Sequence, residues 1–159
     1  NGFIDHTQEP KRICRYLING IEHGEMSQFA IYASSFDIPL VHVSGDEALC
    51  LEAAKLYPSV KSTPTKQGTG WISCRLYPTS GVRSQITTDV ANALLQPFAL
   101  PLKMTLPIEI SVEFAWSELA DNFAGVPGVR RDHARMVSWK IGDPRDIYSW
   151  PSDDWHPLR

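Results

Sequence analysis

The sequence has no hydrophobic stretch that approaches the roughly 20 residues needed for a membrane-spanning helix, and no signal-peptide pattern. It has three cysteines, and Cys14, Cys50 and Cys74 lie far apart in the chain. They show neither the spacing of a metal site nor that of a disulfide framework, which favours a reducing compartment. We therefore expect a protein without a membrane partner, located in the cytoplasm.

The chain also lacks concentrated positive charge. Its formal net charge is -3 at pH 7, and its one basic cluster consists of Arg130, Arg131, His133 and Arg135. Proteins that bind the nucleic-acid backbone usually carry a larger basic patch. We expect no nucleic-acid partner, and we interpret the cluster as a solvated surface or a contact between subunits.

Residues 19–57 have the pattern of a helix, a buried strand and a second helix. The apolar run 40–43 predicts a strand buried on both faces, and Asp46 is placed to cap the second helix. The first helix opens beside Gly24, and its apolar residues recur at the spacing of one core-facing side. These residues are Met26, Phe29, Ala30 and Ala33.

A second strand at residues 60–65 completes a strand-helix-strand unit, for which we expect parallel pairing. Residues 66–70, Lys-Gln-Gly-Thr-Gly, then predict a flexible loop at the carboxyl ends of the strands, where ligands bind in such sheets. The loop lacks the phosphate-loop pattern. Its lysine, Lys66, is suited to binding a carboxylate or polarising a carbonyl group.

The second part of the chain mixes strands and short helices. We predict a strand at residues 71–76, a helix from Thr79 to Pro97, and a half-buried strand from Leu106 to Phe114. A further strand around residue 139, a short helix capped by Asp143 and a docking tail at residues 153–156 follow. The fold class is α/β, a mixed sheet followed by a smaller α+β region. We expect the first, α/β part to span residues 1–66 and the α+β region residues 67–159.

One polar residue of the first helix is a candidate for a site. Glu25 lies in the first helical turn, where a carboxylate complements the helix dipole or points into a cleft as a ligand or acid-base group. His6 lies in an early loop. The Asn19-Gly20 turn predicts a hairpin, and this path could bring His6 and Glu25 to the same rim.

The order of several short motifs resembles that of the zinc-dependent D-aminopeptidase family, the self-compartmentalising metallopeptidases. In that family a Gly-Glu pair opens a helix, an Asp-Val-Pro-Val strand follows, and Ala-Gly-Asp-Asp comes next. A Lys-Gln pair and a strand of the type Ile-Glu-Phe-Ala lie further along. The corresponding segments here are Gly24-Glu25, residues 37–40, residues 44–47, Lys66-Gln67 and residues 112–115. Because they are collinear from His6 to about Tyr148, the resemblance implies the C-terminal half of a D-aminopeptidase-like fold.

The resemblance also implies roles for three residues. Glu25 would be a metal ligand, His6 a catalytic residue that transfers protons, and Lys66 a catalytic residue that holds the substrate terminus or the oxyanion. The metal would be zinc, as one ion or two, held mostly by residues outside this chain. The reaction would be hydrolysis of an N-terminal D-amino acid peptide bond or of a related small amide.

The other metal ligands of the family lie in the half that would precede Asn1. Because the chain starts with Asn rather than methionine, we expect Asn1 to arise by cleavage of a precursor. A split gene is the other way in which the preceding half could be a separate chain. A second polypeptide would then supply the N-terminal half, in a higher oligomer. The alternative is a degenerate relative without a metal site, acting as a structural or regulatory subunit.

Overall fold

A computed structural model describes residues 2–95 and 100–152. The chain forms two compact units, Asn1–Asp5 with Asp37–Pro101, and His6–Phe36 with Leu102–Arg159. Residue 66, where we expect the first part to end, lies inside a strand. The elements are β1 (Ile13–Ile18), β2 (Ile21–Glu22), α1 (Glu25–Ser34), β3 (His42–Asp46), α2 (Glu47–Leu56), β4 (Lys61–Gly70), β5 (Ser73–Leu76), α3 (Thr79–Leu95), β6 (Ile108–Phe114), α4 (Ser117–Asp121), β7 (Arg130–His133), β8 (Met136–Ile141) and a 3-10 helix (Pro144–Tyr148).

The unit formed by His6–Phe36 and Leu102–Arg159 is built on a five-stranded sheet in the order β2-β1-β6-β8-β7. All neighbouring strands are antiparallel. The β1–β2 turn has Asn19 and Gly20 at φ of 51° and 78°. A two-residue hairpin turn requires such positive φ values, so the predicted hairpin is confirmed.

Strand β6 is the centre of this sheet and supplies much of the core. Its alternate residues Ile108, Ile110, Val112 and Phe114 are fully buried because they pack with Ile31 of α1, Ala120 of α4 and Ile147 of the 3-10 helix. Glu109 and Glu113 lie on the opposite face, where they form ion pairs with arginines. Two of these arginines, Arg130 and Arg135, belong to the basic cluster that we predicted to be solvated or in a subunit contact.

The buried side of α1 differs from the predicted one. Phe29, expected in the core, is 62% exposed, whereas Ser27 and Gln28 are fully buried together with Ile31. The predicted core-facing side of this helix is therefore wrong at Phe29, although Ala30 is buried as predicted. The physical reason is that the Gln28 amide forms hydrogen bonds with a neighbouring loop. These bonds offset the free-energy cost of burying a polar group.

The unit formed by Asn1–Asp5 and Asp37–Pro101 has a three-stranded sheet in the order β3-β4-β5. Strands β3 and β4 are parallel, as predicted for a strand-helix-strand unit. Asp46 caps α2 by accepting a hydrogen bond from the backbone N of Leu49 at 2.9 Å, which confirms the predicted cap. Strand β3 begins at His42, so the apolar residues Leu40 and Val41 precede it.

The predicted glycine-rich loop is wrong. Lys66 and Gly70 both belong to β4, because residues 66–70 pair with the antiparallel strand β5. Helix α3 follows at Thr79–Leu95; its predicted end at Pro97 and the docking tail lie outside the described residues. Among the helices of the described ranges, none combines the length and the apolar character that crossing a bilayer requires.

Candidate active site

Glu25 opens helix α1, as the sequence predicts. Its neighbour Gly24 is the N-cap and supplies no side-chain hydrogen bond to the helix, so the carboxylate of Glu25 is the acidic group of the first turn. The side chain is exposed, and its Oε1 accepts a hydrogen bond from the backbone N of Gln8 at 2.7 Å. Glu25 is thus tied to the loop in which His6 lies two residues before Gln8.

The loop of residues 6–8 is anchored to α1 by a buried glutamine. Gln28 Nε2 donates to Thr7 Oγ1 at 3.0 Å, and Gln28 Oε1 accepts from Gln8 Nε2 at 2.9 Å. Thr7 is 8% exposed and Gln28 is fully buried, whereas His6 is exposed. The loop is therefore fixed at residues 7 and 8, directly beside an accessible histidine.

The backbone of this loop is strained at Gln8. Its φ is 54°, in the left-handed region, which costs an L-residue about 1–2 kcal/mol. Such conformations persist where the surrounding contacts enforce them, and they concentrate at functional sites. Here the enforcing contacts are the bonds from Gln8 to Glu25 and to Gln28. The strained residue thus lies in the same loop as His6 and is held there by two hydrogen bonds.

Tyr148, whose phenol feels the charge of Glu25, was missed by sequence reasoning. Burial raises the pKa of the Tyr148 phenol to about 12, and the charge of Glu25 adds to this rise. Tyr148 ends the 3-10 helix, which the buried Tyr16 hydroxyl anchors by donating to the carbonyl O of Ile147 at 2.5 Å. Glu25 and Tyr148 are far apart in sequence, so no local pattern could have linked them.

His23 precedes Glu25 by two residues and is also part of this surface. Burial lowers the pKa of its imidazole, which favours the neutral ring. Its Nδ1 lies 2.5 Å from Ser27 Oγ. This contact holds the ring against the first turn of α1, next to the candidate ligand Glu25.

Lys66 belongs to the other compact unit. Its Nζ lies 4.7 Å from the centroid of the Phe3 ring, in cation–π distance. Phe3 is itself held by its backbone N, which donates to Asp46 Oδ2 at 2.6 Å. The lysine is half-buried and lies on strand β4 rather than in the predicted loop.

The described residues do not form a complete metal site. Across residues 2–95 and 100–152, no three His, Cys, Asp or Glu side chains are grouped so that they could hold a metal ion. A catalytic zinc ion takes about three protein ligands and an open position. The exposed carboxylate of Glu25 has the chemistry of one such ligand.

Comparison with known proteins gives two matches. The family model described as D-aminopeptidase matches residues 1–152. Among solved structures, the Zn-dependent D-aminopeptidase DppA from Bacillus subtilis, described as a self-compartmentalizing protease, is similar with a TM-score of 0.83 and 24% sequence identity. The match covers 92% of this chain and 54% of that one, so the chain spans about half the length of that protein. A search of curated proteins gives no match.

Proposed function

Since the chain belongs to the D-aminopeptidase family, we propose that it is part of a zinc-dependent amide hydrolase. The substrate would be a peptide with an N-terminal D-amino acid or a related small amide. The observation that carries this proposal is the hydrogen bond between the backbone N of Gln8 and Glu25 Oε1. It ties the loop containing His6 to the carboxylate expected to bind metal.

Glu25 supplies one metal ligand in this proposal. A carboxylate has several acceptor positions on its two oxygens, so the bond from Gln8 leaves room for a metal ion. Zinc, when bound, would supply an activated water and a polarised carbonyl group. The chain's own contribution is to hold the Glu25 carboxylate in a fixed direction through Gln8.

His6 transfers protons to and from the reacting amide. Imidazole is the side chain most often used for this purpose, and His6 is exposed beside the anchored residue Thr7. Lys66 binds the substrate terminus or the oxyanion, because a cationic donor is suited to either group. Its contact with Phe3 would keep the ammonium group in place.

A second polypeptide supplies the N-terminal half and the other ligands, in a hetero-oligomer. Strand β3 supports this partner, because in the described part of the chain it is a parallel strand at the edge of its sheet, where natural proteins usually cover exposed strands. The three cysteines are free, which supports the cytoplasm as the compartment.

The test is metal content and amidase activity of the natively purified assembly that contains this chain. Substrates are matched D- and L-aminoacyl anilides. We expect Glu25→Gln to lose bound zinc together with activity, since a ligand is weakened. We expect His6→Ala to keep its zinc while activity falls by about 100-fold or more, because only proton transfer is lost.

Glu118→Gln is the matched control, because Glu118 is also the acidic residue in the first turn of a helix. It should change neither zinc content nor rate. A non-catalytic, regulatory subunit is the second possibility. Unchanged activity of the assembly in both His6→Ala and Glu25→Gln would establish that alternative and refute the proposed chemistry.

A further inference from the structure

Gln28 is a fully buried polar residue whose side-chain hydrogen bonds are made to a loop and a turn. Its amide has two N–H donors and a carbonyl acceptor. Nε2 donates to Thr7 Oγ1 and to the backbone O of His23, both at 3.0 Å, and Oε1 accepts from Gln8 Nε2 at 2.9 Å. Every partner lies on the loop before β1 or in the turn before Glu25.

These contacts define one orientation of the amide. A flipped amide would face the His23 carbonyl with its own oxygen and face Gln8 Nε2 with its own nitrogen. Both contacts would be lost, and a buried polar group without a partner is unfavourable. The amide therefore recognises one arrangement of Thr7 and Gln8 relative to α1.

An apolar side chain of similar length would fill the same space. Burying an amide for packing alone is unfavourable, so the residue type calls for a reason beyond packing. The strained backbone of Gln8 supplies that reason, because the Gln8 side chain is bonded to Gln28 and its backbone N to Glu25. Without Gln28, the loop would lose two of the bonds that oppose relaxation.

We infer that Gln28 is a positioning residue, which holds the loop of residues 6–8 in its strained conformation and thereby sets the position of His6 relative to Glu25. This inference rests on the proposed function for its catalytic meaning. In this role the side chain of Gln28 has no contact with the substrate. It predicts a defect in turnover rather than in metal binding.

The test compares Gln28→Met with Ser34→Ala in the purified assembly. Methionine keeps the length of the side chain and removes all its hydrogen bonds. Ser34 is a matched control, because it is buried on the same helix, donates to the Ala30 carbonyl O and accepts from the backbone N of Leu102. We expect Gln28→Met to lower kcat by about 10- to 100-fold with KM changed less than about twofold. Zinc content should be unchanged, and Ser34→Ala should keep kcat.

A second variant separates positioning from a general loss of stability. Glycine adopts positive φ without the penalty of an L-residue, so Gln8→Gly removes the strain that Gln28 is inferred to maintain, and it retains the backbone N–H to Glu25. Added to Gln28→Met, it should restore kcat by about threefold or more. A residue that only stabilises the core would show no such rescue.

Thr7→Val, which removes a single partner of Gln28, should give a smaller defect of the same kind. It replaces Gln28→Met if that variant does not fold.

Amide hydrogen exchange provides a readout that does not depend on activity. In Gln28→Met the exchange of the Gln8 amide should rise by about tenfold or more, whereas in Ser34→Ala it should stay as in the wild type. Unchanged exchange at Gln8, or equal kcat in the two variants, would overturn the inference. An inactive wild-type assembly in which exchange still rises would instead contradict the proposed function and leave the positioning role of Gln28 standing.

Discussion

The two compact units differ in what fills their interiors. In the unit that contains β6, apolar side chains of the five-stranded sheet pack against the neighbouring helices in one cluster. In the unit that contains β4, the buried apolar residues among those described are Val43, Ala53 and Tyr57. Large apolar side chains such as Leu51 and Ile72 are instead 72% and 75% exposed there.

The second interior is held together by directional polar contacts. The buried hydroxyl of Thr63 donates to Asp89 Oδ2 at 2.9 Å and lies 2.9 Å from His42 Nε2. This chain of contacts connects β3, β4 and α3, and no residue of α3 is itself buried. Packing thus dominates one unit and hydrogen bonding the other. The loop of residues 6–8 and Glu25 stand on the apolar unit, and precise sites need such rigid support.

The largest effect on stability is expected from truncating the apolar core. Ile110→Ala removes a side chain that is fully buried at the centre of β6. The lost transfer energy and the remaining cavity should lower the free energy of unfolding by about 2–5 kcal/mol. Urea unfolding of the variant and the wild type measures this change in the free energy of unfolding.

Leu51→Ala is the control in the other unit, because Leu51 is a large apolar residue that is mostly exposed. It should change the free energy of unfolding by less than about 0.5 kcal/mol. An equal loss in the two variants would contradict the contrast between the interiors.

A smaller effect is expected from removing one hydroxyl in the polar unit. Thr63→Val keeps the volume of the side chain and leaves Asp89 and His42 without this partner. Asp89 and His42 are half-buried, and a typical hydrogen bond contributes about 0.5–1.5 kcal/mol. We therefore expect a loss in that range by urea unfolding, with faster amide exchange along α3.

The exposed Thr87, whose hydroxyl donates to the Arg83 carbonyl, provides the matched Thr→Val control on α3. Thr87→Val should stay within about 0.5 kcal/mol of the wild type. A Thr63→Val variant that is as stable as the wild type would show that packing, rather than hydrogen bonding, holds α3 to its sheet.

The elements that sequence reasoning predicted are those fixed by local chemistry. The Asn19-Gly20 turn needs positive φ, the Asp46 cap needs a side-chain acceptor before a helix, and the parallel β3–β4 pair follows from the length of the crossover. Each depends on a few adjacent residues or on a chain-length rule. Glu25 in the first turn of α1 was predicted for the same reason.

The elements it did not predict depend on distant partners. Lys66 lies on a strand because β5 pairs with residues 66–70, although a Gly-rich sequence usually indicates a loop. Gln28 is buried because its partners lie about 20 residues earlier in the chain, and a polar residue in a helix gives no periodic signal of burial. The anchoring of the loop before β1 was therefore invisible in the sequence, although His6 itself was named from a motif.

The smallest expected effect lies at the surface of the apolar unit and depends on pH. Hydrogen bonds from the side chain and then the backbone of Arg145 lower the pKa of Asp143 from 3.8 to about 2. A carboxyl group whose pKa is lower in the folded state adds stability above its unfolded pKa, and this contribution is lost as pH falls through the folded value. Between about pH 4 and about pH 2 the urea midpoint of the wild type should therefore fall more steeply than that of Asp143→Asn. Arg145→Met should reproduce the shallower slope, because it removes the main donor. Since Asp143 is at the surface, its ion pair is screened by solvent, so its contribution should be small. A loss in the free energy of unfolding in Asp143→Asn as large as that in Ile110→Ala would mean that electrostatic contacts rather than packing dominate this unit.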